Sequence, residues 1–192
     1  MFDNLRGDFA KARADRRGTL ETGGWHRSIW LSNLRILASM NTWAIITYRF
    51  ARSVKKLRIP VVKQLLMIAV IVMEQWVRLW SGIIIDRGAE IGPGLVVHTP
   101  YAVFVGSTRI GANCTVCSGV VISAGSRGIG DNVFFCPGAK LIGTAKVGSN
   151  VVIMANSLVL IDVPDDTTIV GVPARIRLRG GKPQRFAKTT GV

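Results

Sequence analysis

From Ile85 onward an aliphatic or aromatic side chain returns at every sixth position: Ile91, Val97, Val103, then Ile110, Val116, Ile122, then Ile129, Phe135, Leu141, Val147, Ile153 and Val159. Only the steps from 103 to 110 and from 122 to 129 are seven residues long. A six-residue beat is neither the 3.6-residue period of a helix nor the alternation of a single strand. It describes a coil of short flat sides, each contributing one inward aliphatic residue, often followed by glycine as in IGPG, IGAN, IGDN and VGSN. Small or medium residues four places later (Ala89, Leu95, Cys114, Val120, Val133, Ala139, Ala145 and Val151) would fill the remaining interior. The pattern predicts a mainly β fold, a parallel solenoid in which neighbouring coils bury each other's faces.

Three sides per coil set the neighbour relations. Residues eighteen apart, or nineteen across a seven-residue step, lie above one another at roughly the 4.8 Å strand spacing. His98, Cys117, Cys136 and Met154 then form one column, and Thr99, Ser118, Pro137 and Ala155 the column beside it. His98 follows the inward Val97, so strand alternation turns it outward.

Before the repeat the ruler changes. NTWAIITYRFARSVKKLRIP and VVKQLLMIAVIVMEQWVRLW lack strand alternation and predict helices separated at Pro60. The chain divides into a helical region over 1–80, which holds all five tryptophans, a repeat domain over 81–174, and a basic tail over 175–192. The longest uncharged apolar run, Leu65 to Met73, is shorter than the roughly 20 residues that cross a bilayer. Arg49, Arg52, Lys55, Lys56 and Arg58 precede this run, and Trp76 and Trp80 follow it. Such flanks suit the headgroup region of an anionic membrane, with peripheral attachment; a helical cap on the repeat, with solvated charges, is the other reading.

A formal charge of +14 on 192 residues calls for an anionic partner. No RNA- or DNA-binding module is recognisable, which argues against nucleic acid and leaves a phosphorylated cofactor or an acidic lipid surface. Three cysteines, an odd number, fit a reducing compartment better than a disulfide framework, so a cytoplasmic location is expected.

The hexads and the closing VPDDTTIVGVPARI resemble the hexapeptide-repeat acyltransferases, and the array is similar to serine O-acetyltransferases and their relatives from surface-polysaccharide gene clusters. The opening MFDNLRGDF is similar to short members of that group. The resemblance implies a left-handed parallel β-helix, a homotrimer, acetyl-CoA as donor, no metal, and active sites in grooves between subunits. It implies an acetyl-CoA-dependent O-acetyltransferase. The expected acceptor is a sugar hydroxyl of a surface polysaccharide or its lipid-linked precursor, with serine acetylation and a catalytically silent scaffold as alternatives.

Transfer of an acyl group from thioester to hydroxyl needs a base for the hydroxyl proton, and imidazole, with an unperturbed pKa of roughly 6.5, suits that task. His98 is the one histidine of the repeat region; His26, in GWHRS, has no surroundings that suggest chemistry. Aligned through IGPG and Gly106, the family's base coincides with Thr99 and its predecessor with His98, and a one-residue shift restores His98. The acid that orients the base aligns with Ile84, with Asp86 close by. The family's second histidine has no counterpart in ISAGSRGIGDN. The resemblance also puts Ala155 along the pantetheine channel, and small residues at Gly143 and Ala155 would let the cofactor lie close to the coils. Gly171, Pro173, Arg175 and Arg177 belong to the closing segment, whose cations suit the phosphates of coenzyme A. Two readings of the cysteines stand beside this one: Cys117 as an acyl-carrying nucleophile next to His98, and a zinc site of His98, Cys117 and Cys136.

Overall fold

A computed structural model of the chain describes residues 2–20, 40–55, 57–99 and 101–179. Helix α1 covers Phe2–Leu20, α2 Met40–Lys55 and α3 Pro60–Ser81; fifteen short strands follow, from β1 (Ile83–Ile85) to β15 (Ala174–Arg179). His26, Lys56, Lys182, Arg185 and Lys188 lie outside the described residues.

Apart from the first two strands of one sheet, the hexads stack as their spacing requires. The strands form three parallel sheets, the walls of a triangular prism. Sheet 1 is ordered β1, β4 (Val103–Val105), β7 (Val121–Ile122), β10 (Lys140–Leu141) and β13 (Leu158–Val159); sheet 2 β2 (Glu90–Ile91), β5 (Arg109–Ile110), β8 (Gly128–Ile129) and β11 (Lys146–Val147); and sheet 3 β3 (Val96–Val97), β6 (Thr115–Val116), β9 (Phe134–Phe135), β12 (Val152–Ile153), β14 (Thr167–Gly171) and β15. Within sheet 3, Val97 (β3, Val96–Val97) pairs with Val116 (β6, Thr115–Val116), then Phe135 (β9, Phe134–Phe135) and Ile153 (β12, Val152–Ile153). These steps are nineteen, nineteen and eighteen residues, as a three-sided coil demands. The beat residues from Ile91 to Val159 are buried, as are the eight smaller residues four places on. Ile85 is partly buried against them. Sheet 1 departs from the beat at its start: Ile85 pairs with Val105, twenty residues on, and Val105 with Ile122, so Val103 lies against Ile83 and not in the expected column with Ile85 and Ile122. The extra length falls before Val103, where Tyr101 and Ala102 take positive φ. The seven-residue step from 122 to 129 falls where the chain turns from sheet 1 to sheet 2, and there Ser126 donates its hydroxyl to the Ala145 carbonyl, so the added backbone stays satisfied.

Between sheets 2 and 3 every turn passes through the left-handed region, at Gly94 (φ +80°), Asn113, Asn132, Asn150 and Asp166. Asparagine and aspartate tolerate that conformation because their short side chains bond locally. Here the bonds run along the column, Asn132 to Asn150 and Asn150 to Asp166. Gly94 is required at the column's start, since a Cβ there would stand 2.3 Å from the Asn113 side-chain oxygen.

The solenoid ends in a reversal. β14 (Thr167–Gly171) pairs parallel with β12, but β15 lies antiparallel on β14. Residues 175–179, which the sequence assigned to a basic tail, therefore complete sheet 3.

The helices sit beside the first coil. Pro60 opens α3 where a missing N–H costs nothing. Gly82 closes it in the left-handed conformation, donating its N–H to the Arg78 carbonyl. Ala51 and Val54 of α2 pack on Val70 of α3, while Ala44, Ile45 and Tyr48 on the other side of α2 join the solenoid core. With 22 residues, α3 is long and apolar enough to cross a membrane by length and composition, which the uninterrupted run from Leu65 to Met73 understates. The reason is geometric: Lys63 and Glu74, which bound that run, are only partly exposed and leave the outward side uncharged.

One ion pair ties α1, α2 and the first coil together. The Arg49 guanidinium donates to both Asp8 carboxylate oxygens (3.2 and 3.3 Å) and to the carbonyls of Ile91 and Gly92 (2.5 Å each). Asp8 also accepts the N–H groups of Gly94 and Leu95 at 2.7 and 2.9 Å. Both side chains are nearly buried, at 4% and 6% exposure. Removing one partner strands the other charge, so Asp8→Ala should lower the unfolding free energy by about 3–5 kcal/mol. Urea titration followed by circular dichroism measures it, and a loss below about 1 kcal/mol would mean that water reaches the pair.

Candidate active site

Each coil offers one residue to the edge between sheets 3 and 1 just after its inward aliphatic. His98 follows β3 and is exposed there, and its backbone N–H donates to the Val116 carbonyl at 2.9 Å. The same ladder holds Cys117, Cys136 and Met154 through their own N–H groups at 2.9–3.0 Å, which gives the predicted column. Thr99, Ser118, Pro137 and Ala155 form the next column, and the β12–β14 register sets Gly171 beyond Ala155. Thr99 uses its hydroxyl oxygen to accept the Ser118 N–H at 3.0 Å, so its side chain already serves the backbone.

This edge has a shape that suits a long thin ligand. Its outer column contains no side chain larger than threonine or proline, Ala155 is exposed, and Gly171 is half-buried with its N–H bonded to the Ser157 hydroxyl. Pro173 and the guanidinium residues Arg175 and Arg177 follow as exposed groups at the far end of the stack. From His98 to Ala155 is three coil steps, about 14 Å.

Two predicted residues lie elsewhere. Asp86 follows β1 at the edge between sheets 1 and 2, a different corner of the triangle from His98, with the width of sheet 1 between them. There its Oδ1 accepts the Ser107 hydroxyl and the Gly88 N–H, both at 2.6 Å. The carboxylate therefore closes a turn and does not orient His98 within one chain. Gly143 occupies the same edge as Asp86, three coils on, in a left-handed conformation with open space where a Cβ would be.

A residue the sequence did not single out lies against the histidine. The Asn41 side-chain amide, at the start of α2, donates to the Val97 carbonyl (3.0 Å) and, more weakly, to that of His98 (3.4 Å). Its Oδ1 is buried without a partner. No spacing or motif links position 41 to position 98; only the packing of α2 on the first coil joins them.

The thiols are sheltered. Cys114 is interior, as expected, while Cys117 and Cys136, although on the outward side of their strands, are 6% and 2% exposed. Burial pushes the Cys117 thiol up, and pushes Cys114 and Cys136 up to about 11. Such thiols stay protonated near neutrality and lack the thiolate that a nucleophile needs. Among the described residues no three His, Cys, Asp or Glu groups are arranged to hold a metal ion.

The described architecture is that of the hexapeptide-repeat β-helices. The comparisons are more particular. The chain is 33% identical over 158 residues to a serine acetyltransferase of Bacillus subtilis, covering 78% of this chain and 70% of that protein. It is 34% identical over 146 residues to the serine acetyltransferase of Synechococcus elongatus, covering 72% and 57%. A Brucella abortus serine acetyltransferase structure superposes with a TM-score of 0.70 at 24% identity, covering 94% of this chain and 70% of that one. A serine acetyltransferase solved as a complex with CoA gives 0.72 at 24%, covering 91% and 68%. No family model matches the chain. The chain belongs to the serine acetyltransferase family, and its solenoid is a left-handed parallel β-helix. It spans 57% and 60% of the Synechococcus elongatus and Staphylococcus epidermidis relatives' lengths.

Two measurements follow. At pH 8 a thiol with a pKa of about 11 is ionised in about one molecule per thousand. Iodoacetamide should therefore label the native protein at least a hundredfold more slowly than the urea-unfolded chain, and rapid labelling would return Cys117 to the list of nucleophiles. The hydroxyl of Ser107, followed by the Gly88 N–H, holds Asp86 below its ordinary 3.8. A depressed carboxylate stabilises the fold above its unfolded pKa and stops doing so as pH falls through the folded value. The stability gap between the parent and Asp86→Asn should be open at pH 6 and close below 3.8; a gap that persists in acid would contradict the turn-closing role.

Proposed function

We propose that the chain transfers the acetyl group of acetyl-CoA to a hydroxyl, with L-serine as acceptor. The supporting observation is the alignment of exposed His98, the small residues Ala155 and Gly171, and the cations Arg175 and Arg177 along one edge. The sugar acceptor expected from the sequence finds no support among the relatives, which are serine acetyltransferases, one of them solved with serine bound.

In this reading His98 accepts the proton of the acceptor hydroxyl as its oxygen attacks the thioester carbonyl. The carbonyl carbon becomes tetrahedral, with its oxyanion stabilised by backbone N–H donors. Collapse expels the coenzyme A thiolate, which recovers the proton from His98. Asn41 holds the backbone on which the imidazole is carried. Thr99 stays a backbone partner, and Arg175 and Arg177 bind phosphates.

The edge carrying His98 and the edge carrying Asp86 and Gly143 are separate in one chain. A closed trimer would set one subunit's His98 edge against the next subunit's Asp86 edge and complete a channel between them. Phe104, Ile142, Leu160 and Ile161, all exposed on or beside sheet 1, are the apolar surface that such an assembly would cover.

The test is thiol release from acetyl-CoA with serine, with oligosaccharide, and with no acceptor. Serine should support turnover, and His98→Ala should reduce it by at least about a hundredfold, the scale of general base catalysis. Equal rates with and without serine, or an unaffected His98→Ala, would overturn the proposal.

A further inference from the structure

Helix α3 is turned the wrong way round for a protein surface. Its inward side carries Val70, fully buried, with Leu66 and Met67 against α2, and also Glu74, which is paired with Arg87. Its outward side is the more apolar one. Val61, Leu65, Ile68, Val72, Trp76 and Leu79 recur at spacings of three or four residues, which makes a single stripe down the helix. They are exposed, Leu79 at 80% and Leu65 at 64%, and only 6% of the helix's most apolar window is buried. From Val61 to Leu79 the stripe runs for about 27 Å. Contiguous apolar surface on that scale marks a contact site.

We propose that this face docks on the surface of an anionic phospholipid bilayer, with the α3 axis parallel to the membrane plane. Charge selects that occupant. Arg58 lies exposed just before the helix, Arg78 is exposed on its flank one turn beyond Glu74, Lys55 ends α2, and the helix's one carboxylate, Glu74, is neutralised by Arg87 on the inward side. The whole chain carries +14. A second copy would bring the same positive charge to the contact, whereas acidic headgroups are attracted by it. Trp76 and Trp80, at 60% and 62% exposure, cluster near one end of the stripe, and an indole ring favours the boundary between headgroups and acyl chains. Spanning is ruled out by packing: Val70 is sealed against α2, and α2 is in turn fixed in the solenoid core through Tyr48, whose hydroxyl donates to the Ala89 carbonyl at 2.5 Å. The helix lies in the interface like an amphipathic anchor.

The experiment is flotation of the full chain with vesicles of phosphatidylcholine alone and of phosphatidylcholine mixed with phosphatidylglycerol. The parent should float with the mixed vesicles and bind neutral ones at least about tenfold more weakly, and high salt should reduce the difference. Leu65→Gln with Leu79→Gln, both at exposed positions, should weaken binding to mixed vesicles by about tenfold or more. Tryptophan emission of the unaltered protein should shift to the blue on adding mixed vesicles, a readout independent of any variant. Failure of the parent to float overturns the proposal. So does light scattering in which the double variant, without lipid, falls to a smaller oligomer than the parent, because a second copy would then be what covers the stripe.

Discussion

The fold rests on backbone pairing between successive coils at one strand spacing. Each coil has two or three residues per side, too few to form a sheet alone, so its N–H and C=O groups are satisfied only by the coils above and below. Once that ladder is set, every inward position faces the equivalent position of its neighbours. This is why Val97, Val116, Phe135 and Ile153 form a continuous strip of core although nearly twenty residues separate each pair. The same ladder fixes what faces outward, and the arrangement of His98 above Cys117 needs no further interaction to hold it.

The ladder also sets the heights of the residues along one edge. Each coil adds one or two residues at a fixed level. His98, Ala155 and Arg175 are separated by coil count, not by loop conformation. Helix α2 supplies the lateral constraint: Arg49 grips the carbonyls of Ile91 and Gly92, and Asn41 grips those of Val97 and His98, so both sides of β3 are held by one helix.

Most of the repeat was legible because a six-residue beat leaves few alternatives. The column through His98 and the exposure of that residue follow from counting; the left-handed corners at asparagine and the placement of Val105 between Ile85 and Ile122 do not. What counting misses is whatever depends on contact between unrelated segments. Asp86 is a candidate because it lies close to Ile84, where the family's orienting acid aligns, yet the stacking puts it at a different corner from His98, and its carboxylate bonds Ser107 instead. Asn41 went unnoticed because nothing in the sequence joins α2 to the first coil. Cys117 was assigned outward by alternation, and it is, but surrounding side chains cover it. Arg175, Arg177 and their neighbours were assigned to a tail because basic residues dominate there; the pairing of β15 with β14 outweighs that composition.

The reversed last strand has one more effect. A stack of parallel coils ends, in principle, in a row of unpaired amides that would accept another coil of the same polarity, and nothing in the repeat itself limits its length. By doubling back, β15 presents the opposite chain direction on sheet 3, so an incoming coil finds the wrong partner pattern there. At the other end α1 and α2 stand over the first coil. Growth along the axis is thus blocked from both directions, and a sequence that could otherwise polymerise end to end stays a unit of defined height.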